Sequence, residues 1–343
     1  MKSEKRKEQS LRLFLSHIGL AFLDHRSVFL LVLLAAILLA FGITTPRFLT
    51  YPMFRVITSQ SAEIGLMGLG MGLAWMVNGV DLSVNDAANL SALTAALLLK
   101  HFSAEGSSRT GWLLLSYLIA LITGLLCGLL NGILIGYLDI PPILATLGTM
   151  TVFRGVSVAV TRGSAVAGLP AVIAVIGRGV VFNIPIPFLI FLGIYAVIFS
   201  LLNYTAFGFK VRMVGINPKA AYFSGINYRR VIVWVYVISG FLSSIAGIII
   251  MGRTRSVAYE YGTQVYIVFA LLITNLAGVT AGYYGVTAAA LATLTLQVLS
   301  TGFYTHFMTL QGGPFFNNFL WGLFLVTVLV FAQVLKRLKE KAR

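Results

Sequence analysis

Ten apolar runs, each near the length that crosses a bilayer, follow one another along this chain with little polar sequence between them. They lie near 28–44, 62–79, 83–99, 112–137, 142–160, 187–203, 231–250, 264–280, 284–303 and 317–335. Spanning about 30 Å of hydrocarbon takes roughly 20 helical residues. In lipid, every backbone N–H and C=O must be satisfied within the protein, which leaves helices or a closed barrel. Runs of this length predict an all-α polytopic membrane protein with about ten transmembrane helices. Only 10% of the residues are charged and 58% are hydrophobic, whereas soluble domains carry about 25% charged residues. The segment "AVIAVIGRGVVF" at 171–182 is too short to cross. It predicts a surface or re-entrant helix between Pro170 and Pro185.

Charge sets the orientation. Residues 1–27 hold six Lys/Arg, 204–230 hold five (Lys210, Arg212, Lys219, Arg229, Arg230), and the C-terminal tail holds five more. The segments on the other side hold eight. Positively charged loops stay cytosolic, so both termini and the 204–230 loop are expected in the cytosol. The expected layout is a cytosolic basic tail at 1–27, a transmembrane domain at 28–335 and a second basic tail at 336–343. Residues 1–27 show no small-residue cleavage site before the first apolar run, which argues against a cleaved signal peptide. The net charge of +15 follows from this topology, and no nucleic-acid partner is expected. Cys127 lies in an apolar run and reads as packing.

The chain has no G-x-x-x-x-G-K-[ST] phosphate loop, no redox cysteine pair and no H-E-x-x-H zinc pair. An intramembrane enzyme is therefore disfavoured, and the energy for any transport must come from a partner or an ion gradient. One stretch does carry concentrated polarity. In "NGVDLSVNDAANL" at 78–90, Asn78, Asp81, Ser83, Asn85 and Asp86 separate two apolar runs. A charged side chain at the bilayer centre costs roughly 2.5–3.5 kcal/mol even on lenient scales. Gly79 ends one helix, and Ser83 followed by Asp86 has capping-box spacing before the next. Two placements fit: a helix broken inside the protein along a watery path, or a capped hairpin at the cytosolic surface. Asn78 and Asp81 are the leading cavity or gating groups.

A second short connection, "GVTAGYYGV" at 278–286, follows the 264–280 run. Paired short connections in corresponding halves are a weak sign of internal pseudo-symmetry. Stretches rich in small residues, at 68–74, 124–132 and 239–247, predict close helix packing. Arg154 falls within the fifth run and needs a partner such as Asp81 or Asp86, or water at an edge to which it snorkels if the helix ends early. Glu63 is expected at the outer end of the second run. In "FKVRMVGINPKAAYFSGINYRRV" at 209–231, Asn217-Pro218 starts a short helix and Gly225 stops it. A short helix under the membrane offers a cytosolic partner something to grip.

Three of these stretches resemble one family. "NGVDLSVN", "PPILATLGTMTVFRGV" (141–156) and "GINPKAAYFSGIN…VYVISGFLSSIAGII" (215–249) are similar to segments of bacterial ABC sugar-importer permeases of the ribose, galactose and autoinducer type. The resemblance implies a type II importer-like fold in the bacterial inner membrane. It implies a cytosolic ABC ATPase, a periplasmic or lipid-anchored binding protein and a second permease chain, identical or sister. ATP and Mg would belong to the ATPase, with no cofactor in this chain. The 204–230 loop would be the coupling loop, with Asn217, Ala220, Ala221, Ser224, Gly225 and Ile226 as docking residues. Asn78, Asp81, Ser83, Asn85, Asp86 and Arg154 would line or gate the translocation path. Asn78 and Asn85 replace two family glycines, and "ITNLAGVTAGYYG" departs from the family pattern, so the solute is open among sugars, nucleosides, riboflavin and autoinducers. The alternative is an ion-coupled secondary transporter in which Asp81, Asp86 and Arg154 carry the coupling charge.

Overall fold

The structure is a computed structural model that describes residues 25–103, 109–262 and 265–307, with four isolated positions (319, 322, 323, 326) beyond them. The N-terminal tail before residue 25, the tail at 336–343 and most of the tenth run at 317–335 lie outside the described residues. The helices are α1 (His25–Thr44), α2 (Tyr51–Met76), α3 (Val84–Ser103), α4 (Arg109–Gly136), α5 (Pro142–Thr161) and α6 (Ala174–Arg178). They continue as α7 (Ile186–Tyr204), α8 (Ala206–Ile216), α9 (Pro218–Phe223), α10 (Tyr228–Thr254), α11 (Val265–Leu276) and α12 (Val286–Phe307). Extended pairing among the described residues consists of two two-residue pairs and one isolated bridge, Thr280 with Tyr283. β1 (Val166–Ala167) pairs with β4 (Ser256–Val257), and β2 (Val180–Val181) pairs with β3 (Ile184–Pro185).

Six described helices are long and apolar enough to cross a membrane by themselves: α1, α4, α5, α7, α10 and α12. The other two long helices, α2 and α3, are the ones enclosed by protein. Every residue of α2 from Ser61 to Ala74 is buried, and α2 packs against α7, α10, α11 and α12. A helix solvated by other helices does not need lipid-grade hydropathy on its surface, which lets α2 and α3 carry Glu63, Asn85, Asp86 and Asn89. The second run begins eleven residues earlier in the structure than its hydropathy suggests. Pro52 sits in the first turn of α2, where its missing N–H costs nothing, and the helix extends outward past Arg55. The apolar run at 264–280 yields only the 12-residue α11.

Helices α4 and α10 approach at backbone level. A Cβ on Gly240 would lie 2.1 Å from the Gly124 carbonyl oxygen, and one on Gly128 would lie 2.2 Å from that of Tyr236. Hydrophobic transfer cannot drive helices together in lipid, so backbone-level packing at small residues does. Gly247 repeats the device against α3, where a Cβ would lie 2.3 Å from the Ala88 carbonyl oxygen.

The two ends of the bundle differ. At the end where α10 stops, α6 packs so closely that a Gly177 Cβ would lie 2.0 Å from the Arg253 nitrogen. The β1–β4 pair and the β2–β3 hairpin lie at the same end, with Phe182 at the hairpin tip 94% exposed. The segment 171–182 thus forms the short helix that its length predicts, followed by a hairpin that the sequence does not announce. At the opposite end, α8 and α9 precede the start of α10.

Packing this close gives a sharp contrast between glycines. Gly240→Val should lower the thermal unfolding midpoint in detergent severely, because overfilling a packed site costs about 1–3 kcal/mol even before backbone is displaced. Gly155→Val, on a face of α5 where an added Cβ meets nothing within 4 Å, should leave that midpoint within about 0.5 kcal/mol of wild type. Equal effects at both sites would contradict the packing.

Candidate functional site

The polar stretch after α2 interrupts the helices, with Asn78 exposed and Asp81 buried. Asn78 adopts a left-handed conformation at φ 60°, which Asn tolerates better than most residues, and the Gly79 N–H returns to the Ala74 carbonyl at 2.9 Å. The chain then turns into α3. Asp81 is 2% exposed. Its Oδ1 accepts from the Ser83 N–H at 3.1 Å and the Ser83 hydroxyl at 2.7 Å, and its Oδ2 accepts from the Ser239 hydroxyl at 2.7 Å. Ser239 lies well inside α10, and eleven residues of helix amount to about 16 Å from the start of that helix. The break therefore meets α10 near its middle.

Hydrogen bonds continue outward from this carboxylate. Asn131 on α4 donates its Nδ2 to the Ser83 hydroxyl at 2.8 Å, and Thr149 on α5 donates to Asn131 Oδ1 at 2.6 Å. Thr146 and Tyr236 both donate to the Val80 carbonyl, at 3.2 and 3.5 Å. One buried carboxylate thus ties the break to α4, α5 and α10. The expected capping box does not form. The Ser83 N–H goes to Asp81, and Asp86 turns instead to Arg154, with Nε–Oδ1 at 2.9 Å and Nη2–Oδ2 at 3.1 Å. The bidentate fork suits a guanidinium and neutralises Asp86, which is 1% exposed, while Arg154 stays 33% exposed. Asn85 and Asn89 donate to the Tyr261 carbonyl at 3.2 and 2.9 Å. The buried Asn85 Oδ1 has no partner among the described residues.

The break also touches the last turn of α8. Asn78 Nδ2 donates to the Gly215 carbonyl at 2.7 Å, and the Gly282 N–H donates to the Met76 carbonyl at 2.9 Å. A Cβ on Gly215 would lie 1.9 Å from the Met76 oxygen and 2.5 Å from the Gly282 nitrogen. The two short connections singled out in the sequence therefore meet each other, at the last turn of α8. Two residues after Gly215, at Asn217, the chain turns into α9. Asn217 caps α9, its Oδ1 accepting from the Lys219 and Ala220 N–H groups at 3.0 and 3.1 Å. Gly225 ends it at φ 79°. Ala220, Ser224 and Gly225 are exposed, Ile226 is half-buried and Ala221 is buried. A groove of about 1240 Å³ runs along residues 217–229, and beside it Tyr222 and Phe223 are 62% and 87% exposed.

Sequence reasoning offers Arg154 either Asp81 or Asp86 as a partner, and the structure pairs it with Asp86. The Asp81–Ser83 contact replaces the expected Ser83–Asp86 capping box, and three further things are missed. Ser239 and Asn131 sit in small-residue stretches and read as packing, although a polar side chain in an apolar run is itself the signal. Tyr222 and Phe223 are the large exposed groups of α9, yet the docking set read from the sequence, Asn217, Ala220, Ala221, Ser224, Gly225 and Ile226, leaves them out. Glu63 does not mark a helix end. It lies fully buried in the middle of α2, in a two-point ion pair with Arg253, and Tyr266 donates to its Oε2 at 2.9 Å. Arg253 also donates to the Tyr261 hydroxyl.

Comparison with known proteins gives a consistent family. Residues 53–333 match the family model described as branched-chain amino acid transport system / permease component. The chain is 34% identical over 263 residues to a ribose import permease of Bacillus subtilis (strain 168), covering 75% of this chain and 76% of the relative. It is 28% identical over 302 residues to an autoinducer 2 import system permease of Yersinia enterocolitica, covering 88% and 81%. It is 31% identical over 249 residues to a galactofuranose transporter permease of Escherichia coli (strain K12), covering 72% and 70%. No solved structure matches the chain.

The Glu63–Arg253 pair yields a direct test. Glu63→Ala leaves a buried guanidinium without its counter-ion and should destabilise the protein by about 3–5 kcal/mol. The double variant Glu63→Leu/Arg253→Met should recover most of that loss, measured by unfolding in detergent. No recovery would contradict the pairing.

Proposed function

The chain belongs to the branched-chain amino acid transport system permease family, and from that premise we propose how its parts work in an importer. It is a multi-pass permease of the bacterial inner membrane, a transport subunit rather than an enzyme. Permeases of ABC importers work with an ATPase and a substrate-binding protein, so ATP and Mg belong to the partner.

In our reading the described helices belong to a ten-span bundle with both termini and the 204–230 loop in the cytosol. A second permease chain completes the path. Helix α9 is the coupling helix: Tyr222 and Phe223 project into the ATPase, Lys219, Ser224 and Gly225 flank them, and Ala221 anchors α9 to the bundle. The proposal rests above all on the Asn78–Gly215 bond, because it joins the segment leading into α9 to the break that carries Asp81. A displacement of α9 by the ATPase would pass through Gly215 to Asn78. The Asp81–Ser83–Asn131–Thr149 chain would distribute it to α4 and α5, with Ser239 anchoring it to α10. Asn85, Asp86 and Arg154 then border the path, the half-exposed guanidinium facing the solute. The solute is a monosaccharide or related polar molecule, as the ribose, autoinducer 2 and galactofuranose permeases above suggest. Hydroxyls of such a solute suit amide and guanidinium donors.

Two measurements test this reading. Gly225→Arg strains a left-handed position by roughly 1–2 kcal/mol but meets open space, since an added Cβ has nothing within 4 Å. The variant should insert normally, abolish transport and uncouple hydrolysis. Normal transport would remove the docking assignment. In vesicles holding the assembled transporter, uptake should require ATP and ignore a protonophore. Uptake without the ATPase that collapses with the protonophore would favour ion coupling through Asp81, Asp86 and Arg154 instead.

A further inference from the structure

The end of the bundle opposite α9 carries two adjoining cavities of opposite character. One, of about 360 Å³, lies between the first turns of α2 and the end of α6. It is lined by Arg55, Arg178 and Arg253 with Ser59 and Gln60, and by no acidic side chain among the described residues. The arginines are fixed in a row by backbone carbonyls. Arg55 Nη2 donates to the Arg178 carbonyl at 2.9 Å, and Arg178 Nε donates to the Arg253 carbonyl at 2.6 Å. Glu63 neutralises Arg253. Arg55 and Arg178 have no carboxylate within ion-pair distance among the described residues. Each guanidinium has five N–H donors and spends one of them on these carbonyls, so two preset cations face the cavity with donors to spare.

The second cavity, of about 530 Å³, runs between α1, α2, α7 and α12 and is almost wholly apolar, with Leu38, Phe48, Phe54, Phe188, Leu294 and Val298 among its walls. Tyr51 connects the two. Its ring lines the apolar groove, and the Arg55 guanidinium carbon sits 6.0 Å from its centroid. The side chains around the groove mouth point outward, with Leu49 67% and Tyr51 45% exposed. In a chain that spans a membrane these are lipid-facing positions, and aromatic rings beside arginines mark headgroup depth.

We propose that this end holds a binding site for one anionic phospholipid. Arg55 and Arg178 take the phosphate, and one acyl chain lies in the groove over Tyr51. Guanidinium forks match phosphate oxygens in two-point fashion. Basic pockets between membrane helices hold anionic headgroups on the cytoplasmic side, and the same chemistry is available to the arginines at this end. An acidic patch on a binding protein would satisfy the arginines alone, whereas a phospholipid uses both the cations and the groove that adjoins them. The site would staple α6 to α2 and α1 at the end away from the ATPase. The proposal needs only that the chain is embedded in a bilayer, not the coupling role of α9.

The test compares wild type, Arg55→Gln/Arg178→Gln and Leu38→Trp, each purified in detergent and returned to nanodiscs of phosphatidylcholine with or without phosphatidylglycerol. Bound lipid is counted by native mass spectrometry. Wild type should keep about one phosphatidylglycerol per chain in preference to phosphatidylcholine. Removing both cations should cut that occupancy roughly tenfold or more, and Leu38→Trp, which fills the groove but keeps the arginines, should do the same. Arg162→Gln, an exposed arginine outside the cavity, should keep full occupancy. Equal phosphatidylglycerol retention in wild type and the double variant would overturn the proposal. So would displacement of the lipid by inorganic phosphate at equal concentration, which would mean the pocket reads a phosphate alone. Loss of binding-protein docking with unchanged lipid retention would reassign the arginines to a protein partner. If the double variant does not insert, Leu38→Trp and the choice between the two lipids by wild type decide the matter.

Discussion

A carboxylate enclosed by a helix bundle in lipid has to be held by donors, and the way Asp81 is held organises the middle of this protein. Its two oxygens take three hydrogen bonds from Ser83 and Ser239. Those bonds fix the turn that follows α2 and dock it on the middle of α10. From that point the geometry of α4 and α5 follows through Asn131 and Thr149. Hydrogen bonds to a buried charge are strong individually and costly to leave unmade. A network with this many members has few alternative arrangements, and that makes it suited to moving as a unit.

The same logic appears twice more, each time with an arginine. Asp86–Arg154 joins α3 to α5, and Glu63–Arg253 joins α2 to α10. Each of the three acids sits on or beside the two helices least exposed to lipid, which is where a carboxylate can be solvated by protein. A buried ion pair gains little net stability over well-packed apolar residues. Such pairs fix register, and here they would keep α2 and α3 aligned with the helices around them while the break between those two helices shifts.

Most of the helices were legible from hydropathy because most of them face lipid, and a lipid-facing helix must be apolar along its length. The exceptions have a physical cause. The start of α2 was read eleven residues late because Arg55, Gln60 and Glu63 dilute its hydropathy, and only the surrounding helices make those residues tolerable. Glu63 was assigned to a helix end for the same reason, since its partner Arg253 lies 190 residues away and no local pattern announces it. The capping box at Ser83 and Asp86 is a sound local inference overridden by one local and one tertiary partner, Asp81 two residues back for Ser83 and Arg154 for Asp86. Within α9, sequence reading named the small residues that shape the helix and missed Tyr222 and Phe223, which only the orientation of the helix reveals as exposed. The meeting of the two short connections at Gly215 was beyond sequence reading altogether, because it depends on three segments converging.

The account turns on α9 being the surface on which a cytosolic motor acts and the β2–β3 hairpin lying on the other side of the membrane. Phe223 and Phe182 are the exposed tips of those two regions, 87% and 94% accessible. With Cys127 replaced by Ala, single cysteines at these positions can be labelled in intact cells by a membrane-impermeant maleimide. The cysteine at 182 should react from outside, and the one at 223 only after the membrane is opened. Labelling of position 223 in intact cells would contradict the account.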